Sequence, residues 1–407
     1  MTDADRRSFI AQTAGALAGF ALSPDFVFRP PSRGRAARKV AVIGIGRQGR
    51  AILDELRKLD AVEIAAVCDV VPTRVRAGTD NAPGAEGIAD YRELLTRRTD
   101  IEAVFIATPT HLHKDIALAA LQANRHVYCE APLAHTSADA RAIAEAAARA
   151  STMFQSGLLA RTNPIYQRAR SLVGTDSVRD VVSLYAQSQR KTSWRFPAPD
   201  AALTQAFNWR LDPPVSIGLA GELGTHQFDV MSWLRSKPPA RVQGTGSIRL
   251  HNDGRTIPDT IALQLYWDDG VVLHYQATLA NSYGGTYEVV HGTNAALRLA
   301  GTHGWMFKEA DAATQGWEVY ATVQQFHQDE GIVLVADATK LAEQGRLKEG
   351  AGLQHPPLYY ALAEFVRSLD GGTMAGATAA HGLQATLIGI AAHEAVKTGR
   401  VVDIPAV

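Results

Sequence analysis

A glycine-rich turn between an apolar strand and an amphipathic helix constrains this chain more than any other feature of its 407 residues. Residues 39–49 read Lys-Val-Ala-Val-Ile-Gly-Ile-Gly-Arg-Gln-Gly, so a Gly-x-Gly-x-x-Gly pattern directly follows a strand. Gly44 permits a tight turn, Gly46 lets the backbone approach a pyrophosphate, and Gly49 lets the helix pack closely on the strand. Amide groups at the start of that helix then bind phosphate. The segment predicts a dinucleotide site, with Arg47 and Gln48 among its cofactor contacts.

An acidic residue at the end of the next strand supports this prediction. Val62-Glu-Ile-Ala-Ala-Val-Cys is followed by Asp69, which lies 20 residues after Gly49. A carboxylate at this spacing binds the ribose hydroxyls of NAD and repels the 2′-phosphate of NADP. Arg47 and Arg74 are close enough in sequence to receive such a phosphate. NAD is therefore the predicted cofactor, and NADP stays open.

Strands and helices alternate through residue 157, which predicts a doubly wound parallel sheet. Ligands of such sheets bind at the carboxyl ends of the strands. Two turns at those ends are expected to border the nicotinamide, and their residues are Thr108, Pro109, His111, His113, Glu130 and Pro132. The two histidines could suggest a metal pair, but no further ligands fall at metal-like spacing. They are expected instead to line the pocket or to cap the next helix, and no metal is predicted.

Beyond about residue 160 the pattern changes to strands joined by turns. Asp268-Asp269-Gly270 is a hairpin signal between two of these strands. The strands together predict a large, open, mainly antiparallel sheet. Residues 322–350 are expected to be helical with an exposed insertion. Helices return over 355–399, and a short strand closes the chain.

One loop of this second part is dense in aromatic and cationic side chains. Lys191, Trp194, Arg195, Trp209 and Arg210 all lie between residues 190 and 211. A tryptophan beside an arginine can serve as a stacking platform for a sugar or can belong to the core. These five residues are therefore candidate substrate ligands, and the core interpretation of the tryptophans stays open.

The N-terminal segment is typical of an export signal. Arg6 and Arg7 precede Phe9-Ile10 and an Ala- and Gly-rich apolar run that is too short to span a bilayer. Adjacent arginines indicate the twin-arginine version of such a signal. We therefore expect a periplasmic or extracellular protein that contacts the export translocon transiently. A disulfide between Cys68 and Cys129 is possible but is not the default expectation.

Charge and pattern together set the expected organisation. The chain has 41 basic and 41 acidic residues and no formal net charge, so no long-range attraction draws it to nucleic acid. We expect a signal and linker over 1–38, an NAD(P)-binding Rossmann domain over 39–158, and a substrate-binding domain over 159–407. The C-terminal helices are expected to pack back on the first domain.

Residues 39–405 resemble the family of glucose–fructose oxidoreductase and inositol dehydrogenase, the Gfo/Idh/MocA family. The resemblance rests on the glycine turn, on Glu130-Ala131-Pro132, on Gly224-x-His226-x-x-Asp229, and on the C-terminal segment 397–405. It implies a Rossmann domain followed by an α/β domain whose open sheet serves oligomerisation, with a dimer or tetramer expected. It also implies a tightly bound nicotinamide cofactor.

The resemblance further implies catalytic roles. The family combines a Glu-Lys-Pro turn with an Asp-x-Gly-x-His segment, which makes His226 the acid/base and Glu222 the residue that orients it. The lysine position is Ala131 in this chain. Loss of one preorganised cationic donor costs on the order of 100- to 1,000-fold in rate. We therefore expect a cation of the second domain to substitute, and the candidates are Arg161, Lys191, Arg195 and Arg210.

Three functions are compatible with these residues. The first is an exported NAD(P)-dependent oxidoreductase acting on a sugar, sugar derivative or cyclic polyol, with Arg161 and Asp229 as further substrate ligands. The second is a glycosidase or lyase that uses tightly bound NAD in a transient oxidation, elimination and reduction. The third is a non-catalytic protein that keeps the cofactor for structure alone, which Ala131 permits and which Glu222 and His226 disfavour.

Overall fold

The computed structural model describes residues 37–316, 318, 321, 323–326, 329–334, 352–371 and 376–407. The expected twin-arginine signal lies outside these residues, as does nearly all of the linker. Within the described ranges no helix combines the length and the apolar character that crossing a bilayer demands. Cys68 and Cys129 are both buried with free thiols.

Buried apolar strands form the first sheet. Its six strands are all parallel and lie in the order β3-β2-β1-β4-β5-β6. All four residues of β4 and the last four of β1 are buried, as is usual for a parallel sheet with helices on both faces. The predicted Rossmann sheet is confirmed. The strands are β1 (Arg38–Ile43), β2 (Val62–Cys68), β3 (Glu86–Ile88), β4 (Ala103–Ile106), β5 (His126–Cys129) and β6 (Phe154–Ser156).

Five helices connect these strands, and their starts carry clear signals. Asp90 accepts a hydrogen bond from the Arg92 amide at 2.8 Å, and Thr136 caps a later helix through the Asp139 amide, which stabilises helix N-termini. The first helix instead begins in the glycine turn and buries Ile52 against the sheet. The helices are α1 (Arg47–Leu56), α2 (Pro72–Asn81), α3 (Tyr91–Arg97), α4 (His113–Gln122) and α5 (Ser137–Arg149).

The second sheet is large, open and mainly antiparallel, as expected. Its order is β14-β15-β13-β12-β11-β7-β10-β9-β8-β16, and only β7 and β10 pair in parallel. Gly270 adopts φ +87° in the predicted hairpin turn between β9 and β10. The strands are β7 (Val181–Gln189), β8 (Arg241–Ser247), β9 (Thr260–Tyr266), β10 (Val272–Thr278), β11 (Thr286–Gly292), β12 (Ala295–Ala300), β13 (His303–Lys308), β14 (Val323–Phe326), β15 (Asp329–Val333) and β16 (Val402–Asp403).

The expectation of a helix over 322–350 is wrong for the residues of that segment that the structure describes. β14 and β15 pair with each other, and β15 pairs with β13. The free edge of β13 explains the difference, because unpaired backbone groups at a sheet edge are satisfied by a further strand. The remainder of 322–350 lies outside the described residues.

Helices of the second half cover one face of this sheet and reach the first domain. They are α6 (Pro164–Leu172), α7 (Thr204–Phe207), α8 (Thr225–Arg235), α9 (Pro357–Ser368) and α10 (Ala379–Thr398). A π-helical turn, Ala220–Gly224, leads directly into α8. Phe365 of α9 packs edge-on against Phe105 of β4 at 5.3 Å. The two C-terminal helices therefore fix the position of one sheet relative to the other.

Candidate active site

The glycine turn between β1 and α1 has the shape that a pyrophosphate site requires. Gly44 adopts φ +92°, and a Cβ on Gly49 would lie 1.8 Å from the Gly44 carbonyl oxygen, so α1 can approach β1 only because that side chain is absent. A Cβ on Gly46 would instead meet nothing within 4 Å. The backbone at Gly46 therefore faces open space at the start of α1, and the turn fits a dinucleotide.

Two side chains extend from this turn with different environments. Gln48 Nε2 donates to Glu130 Oε1 at 3.0 Å, which ties the glycine turn to the turn after β5. Burial raises the pKa of Glu130 to about 7. Arg47 is exposed, and no carboxylate of the described residues pairs with it. An unpaired guanidinium beside the turn is available to an anionic cofactor.

Asp69, the predicted ribose ligand, also closes the glycine turn. Its Oδ2 accepts from the Ile45 amide at 2.8 Å and its Oδ1 accepts from the Val71 amide at 2.9 Å. Arg74 Nη1 lies 3.9 Å from Oδ2, and its guanidinium carbon lies 4.0 Å from the Phe207 ring centre. A carboxylate at the end of β2 favours NAD over a cofactor that carries an additional phosphate.

The turn after β4 contains His113, a buried histidine with a structural role. The ring nitrogens of His113 lie 3.0 Å from the carbonyl oxygens of Pro132 and Thr108, and the residue is 2% exposed. Burial lowers the pKa of His113 to about 4. This histidine therefore fastens two turns together instead of lining an open pocket. Pro109 opens the short 3₁₀ turn that leads into α4.

Two buried polar atoms of the same region have no partner within the described part of the chain. They are Thr108 Oγ1 and His111 Nδ1. The His111 ring centre lies 5.8 Å from that of Trp209 and 6.1 Å from that of His135. Buried polar atoms normally have partners. These two atoms therefore fit a cleft that takes a polar ligand, as the sequence predicted for the nicotinamide end.

His226 lies at the start of α8 and contacts the position where the family has lysine. Its pKa is lowered to about 4, first by burial and then by the charge of Arg190, whereas the nearby Ala131 backbone carbonyl raises it. A neutral imidazole that donates through one nitrogen keeps a lone pair on the other. His226 can therefore accept a proton at neutral pH.

Glu222 lies in the π-helical turn, four residues before His226. Its Oε1 accepts from Thr110 Oγ1 at 3.0 Å and its Oε2 accepts from Arg210 Nε at 3.2 Å. Burial raises the pKa of this carboxyl group, and Arg210 opposes that rise. Among the described residues its oxygens are thus directed at Thr110 and Arg210, across the cleft, and not at His226. Because neither contact involves His226, the orienting role of Glu222 stays a prediction.

Arg161 and Asp229, both predicted substrate ligands, form a buried ion pair. Arg161 Nη2 lies 2.7 Å from Asp229 Oδ1, and Nε lies 3.0 Å from Oδ2. Their side chains are only 8% and 2% exposed. The pair ties the short 3₁₀ turn Leu159–Thr162 to α8. The ion pair therefore stabilises the packing of this turn on α8. The charges of Arg161 and Asp229 face each other and not the cleft.

The substrate ligands predicted in the loop after β7 do not lie together in the structure. Lys191 is exposed, and Arg195 Nε lies 2.7 Å from Asp253 on the surface. Trp194 is 7% exposed, belongs to the core of the second domain and adopts φ +58°. The Arg210 guanidinium lies over Trp209, 4.3 Å from the ring centre. Trp209 and Arg210 therefore form a wall beside His111, whereas Trp194 packs as core.

Arg190 is the residue that the sequence argument missed. It directly follows β7, and its charge acts on His226, Arg47 and Arg210. The signal lay in the alternation of β7, which places residue 190 on the same face as the buried Leu184 and Ala186. Lys191, one of the four cations proposed from the sequence, is the next residue and is exposed.

Family models match both halves of the chain. Residues 38–158 match the model described as "Oxidoreductase family, NAD-binding Rossmann fold" of GFO_IDH_MocA. Residues 184–404 match "Oxidoreductase family, C-terminal alpha/beta domain" of GFO_IDH_MocA_C. The two matches together contain the glycine turn, the Glu130–Pro132 turn and His226.

Individual relatives are more distant. The inositol 2-dehydrogenase of Salmonella paratyphi B is 31% identical over 202 residues, which are 48% of this chain and 54% of that protein. The chain thus spans about half the length of this curated relative. Inositol 2-dehydrogenase 1 of Saccharopolyspora erythraea is 26% identical and is matched over 69% of this chain and 82% of its own length.

Solved structures share the fold over most of the chain. An oxidoreductase domain protein from Kribbella flavida superposes with a TM-score of 0.72 at 22% identity, covering 91% of this chain and 100% of the other. Levoglucosan dehydrogenase in complex with NADH and L-sorbose also gives 0.72, at 19% identity, covering 92% of this chain and 100% of its own.

Proposed function

The chain belongs to the Gfo/Idh/MocA family of oxidoreductases, and we propose that it is a nicotinamide-dependent dehydrogenase that oxidises a secondary hydroxyl of a sugar, sugar derivative or cyclic polyol. When NAD is bound, it accepts the hydride from the carbon that carries the hydroxyl. Gly46 and the start of α1 hold the cofactor phosphates, and Asp69 binds its ribose. Thr108 and His111 supply polar atoms to its nicotinamide end.

The observation that carries the proposal is a neutral His226 beside the turn after β5. The Ala131 backbone carbonyl lies near its ring. The free nitrogen takes the proton of the substrate hydroxyl and returns it in the reverse reaction, which is general acid–base catalysis. Burial keeps this imidazole uncharged before the reaction, so the base is ready at neutral pH.

The substrate class is supported by the relatives and by the wall of the cleft. Inositol 2-dehydrogenases and a levoglucosan dehydrogenase bound to L-sorbose are among the proteins this chain is similar to. Trp209 is only 7% exposed and lies under the Arg210 guanidinium, so Arg210 and Glu222 supply the hydrogen-bonding groups beside His111. A small polyhydroxylated ring suits this combination of surfaces.

A matched pair of histidine variants tests the proposal. The purified protein is mixed with NAD⁺ or NADP⁺ and a panel of inositols, anhydrosugars and hexoses, and NAD(P)H absorbance is followed. We expect His226→Ala to lower kcat by about 100- to 10,000-fold without changing cofactor affinity. His274→Ala, on the exposed face of β10, should match the wild type. Equal turnover in the two variants contradicts the assignment of His226.

A redox-neutral glycosidase is the second candidate, and Ala131 is the observation that favours it. An altered acid/base turn suits an enzyme whose task has diverged, because the cofactor is then recycled within one turnover. Cleavage of an aryl glycoside by the purified protein without added cofactor supports this candidate. Steady accumulation of NADH with a free polyol supports the dehydrogenase.

We also propose that the protein is exported through the twin-arginine pathway. Arg6, Arg7 and the following apolar run support this location. Replacement of both arginines by lysine, followed by fractionation of cells, tests it. Retention of the double variant in the cytoplasm is expected, and unchanged export contradicts the proposal.

A homo-oligomer, a dimer or tetramer, completes the proposed function. The sheet face opposite α8 carries Tyr185, Tyr287 and Arg298, with 5.8 Å between the two tyrosine ring centres and 4.5 Å from Arg298 to the Tyr287 ring. An aromatic and arginine-rich face is typical of protein interfaces. Sedimentation velocity of the purified protein measures the subunit number, and a monomer at micromolar concentration contradicts this part.

A further inference from the structure

One face of strand β7 packs toward α8, the helix that carries His226. Leu184 and Ala186 are buried in the core of the second domain. Tyr275, which lies in register with Ala186 on β10, contacts Phe228 of α8 with 4.9 Å between ring centres. Alternation along a strand then places Arg190 on this same, α8-facing side.

The strand pairing continues far enough to fix the direction of Arg190. Its amide donates to the Thr278 carbonyl at 2.9 Å, so residue 190 keeps the β7–β10 pairing. Gln227 Nε2, next to His226 on α8, donates to the Gln187 carbonyl at 2.9 Å. The start of α8 therefore sits directly on the end of β7, where Arg190 follows the strand.

Arg190, like Arg47 at the glycine turn, pairs with no carboxylate of the described residues. Arg161 is held by Asp229 and Arg210 by Glu222. Burial lowers the pKa of Arg190, and the charges of Arg47 and Arg210 lower it further. Its side chain is nevertheless reached by solvent. The guanidinium is thus a positive group near His226 that no carboxylate of the described residues neutralises.

We propose that Arg190 supplies the positive charge that the family places at the position of Ala131, and that its guanidinium binds the substrate oxygen from which His226 takes the proton. This inference rests on the proposed dehydrogenase function. When the hydroxyl proton moves to His226, negative charge develops on the substrate oxygen. This charge is delocalised as the hydride leaves the carbon and the carbonyl bond forms. A donor directed at the oxygen stabilises this charge before it is delocalised.

Arg190 also has an effect on His226 that can be measured without substrate. A positive neighbour disfavours the imidazolium, so removal of Arg190 should raise the pKa of His226. Other groups around the histidine act in the same region and must stay unchanged in the comparison. They are Glu222 and Arg210 at the π-helical turn, Glu130 and the Ala131 carbonyl after β5, and Tyr275 on β10.

The test compares Arg190→Met and Arg190→Lys with the control Arg195→Met, whose residue pairs with Asp253 on the surface. Three quantities are measured: the NMR titration of His226, cofactor affinity, and kcat and KM on the sugar panel. For Arg190→Met we expect a raised His226 pKa and kcat/KM lower by about 100- to 1,000-fold, with NAD⁺ affinity within twofold of the wild type. Arg190→Lys should recover part of the loss.

The outcomes separate this inference from the function on which it rests. An unchanged His226 titration together with unchanged kcat/KM in Arg190→Met overturns the role of Arg190 alone. A fall in NAD⁺ affinity that accounts for the whole loss also overturns it, because Arg190 is then a cofactor ligand. If the wild type binds NAD⁺ but oxidises no member of the panel, the proposed dehydrogenase function fails, and the substrate contact fails with it.

Discussion

At the scale of single residues, the role of a side chain in the site depends on its contacts and on its protonation state. His226 and His113 are both kept uncharged by burial, yet they serve different ends. His113 has both nitrogens against backbone carbonyls and stabilises two turns, whereas His226 keeps one nitrogen for a proton. The three glycines of the first turn divide in the same way between structure and ligand binding.

The glycines give the most direct test at this scale. Gly49→Ala places a Cβ on the Gly44 carbonyl, and we expect a loss of about 1–3 kcal/mol in the free energy of unfolding, the usual cost of overpacking. Gly46→Ala meets open space and should leave stability nearly unchanged while weakening NAD⁺ binding, because its methyl group projects where a pyrophosphate approaches. Urea unfolding and calorimetric titration of both variants measure the two effects. Equal stability of the two variants contradicts the assigned packing.

At the scale of elements, the site is held by a few long-range ties between strand ends and helix starts. The π-helical turn before α8 adds a residue to the helix, as π-bulges at functional sites often do, and it directs Glu222 toward Thr110. Trp194 adopts a left-handed backbone conformation that costs a bulky residue on the order of 1–3 kcal/mol. Burial of its side chain in the second core offsets that cost.

The ion pair between Arg161 and Asp229 is the strongest of these ties. We expect Arg161→Met to lower the free energy of unfolding by about 3–5 kcal/mol, because it leaves the Asp229 charge buried without a partner. Arg195→Met removes an exposed pair and should cost less than about 1 kcal/mol. Urea unfolding of both variants provides the comparison. Similar small losses in both would show that the buried pair does not anchor α8.

At the scale of the whole molecule, two sheets meet along one cleft because α9 and α10 pack on the first domain. Thr110 and Glu222 join the two halves directly at 3.0 Å. Arg47, Arg190 and Arg210 lie near one another in the cleft of a chain whose formal charge is zero. Charge is therefore distributed locally toward an anionic cofactor and a developing negative charge, and not toward a polyanionic partner.

Buried ionisable groups make the free energy of unfolding depend on pH. The folded pKa values of His113, His226, His381 and His393 are all near 4, whereas histidine in an unfolded chain has a pKa near 6.5. Below pH 6.5 the unfolded state therefore binds more protons, so these groups lower stability as the pH falls. Glu130 and Glu288, with pKa values raised to about 7, act in the opposite direction above pH 4.5.

Burial also lowers the pKa of His111, His126 and His135 and raises the pKa of Glu222 and Asp229. Seven such histidines outnumber four such carboxyl groups, so we expect the free energy of unfolding to fall between pH 6.5 and pH 4.5. Urea unfolding at half-unit intervals measures this slope. Replacing His393 by Leu removes one of the seven histidines and should reduce the slope by at most about 1.4 kcal/mol per pH unit. A free energy that rises on acidification would contradict the assigned protonation states.

The sequence by itself determined the parts whose information is local. The glycine spacing, Asp69 and the alternation of strands with helices determined the Rossmann sheet, and the hairpin at Gly270 indicated the antiparallel sheet. These features follow from backbone sterics and short-range hydrophobic periodicity. The same periodicity misassigned residues 323–326 and 329–333, because the unpaired edge of β13 decided their conformation.

Only the tertiary structure decided which charges face the cleft. Arg161 and Arg195 matched the required chemistry as well as Arg190 did, but each lies within reach of a carboxylate that is distant in sequence. Ion pairing depends on separation in space, which composition and spacing do not encode. The end of β7, seated under the start of α8, leaves Arg190 unpaired among the described residues and adjacent to His226.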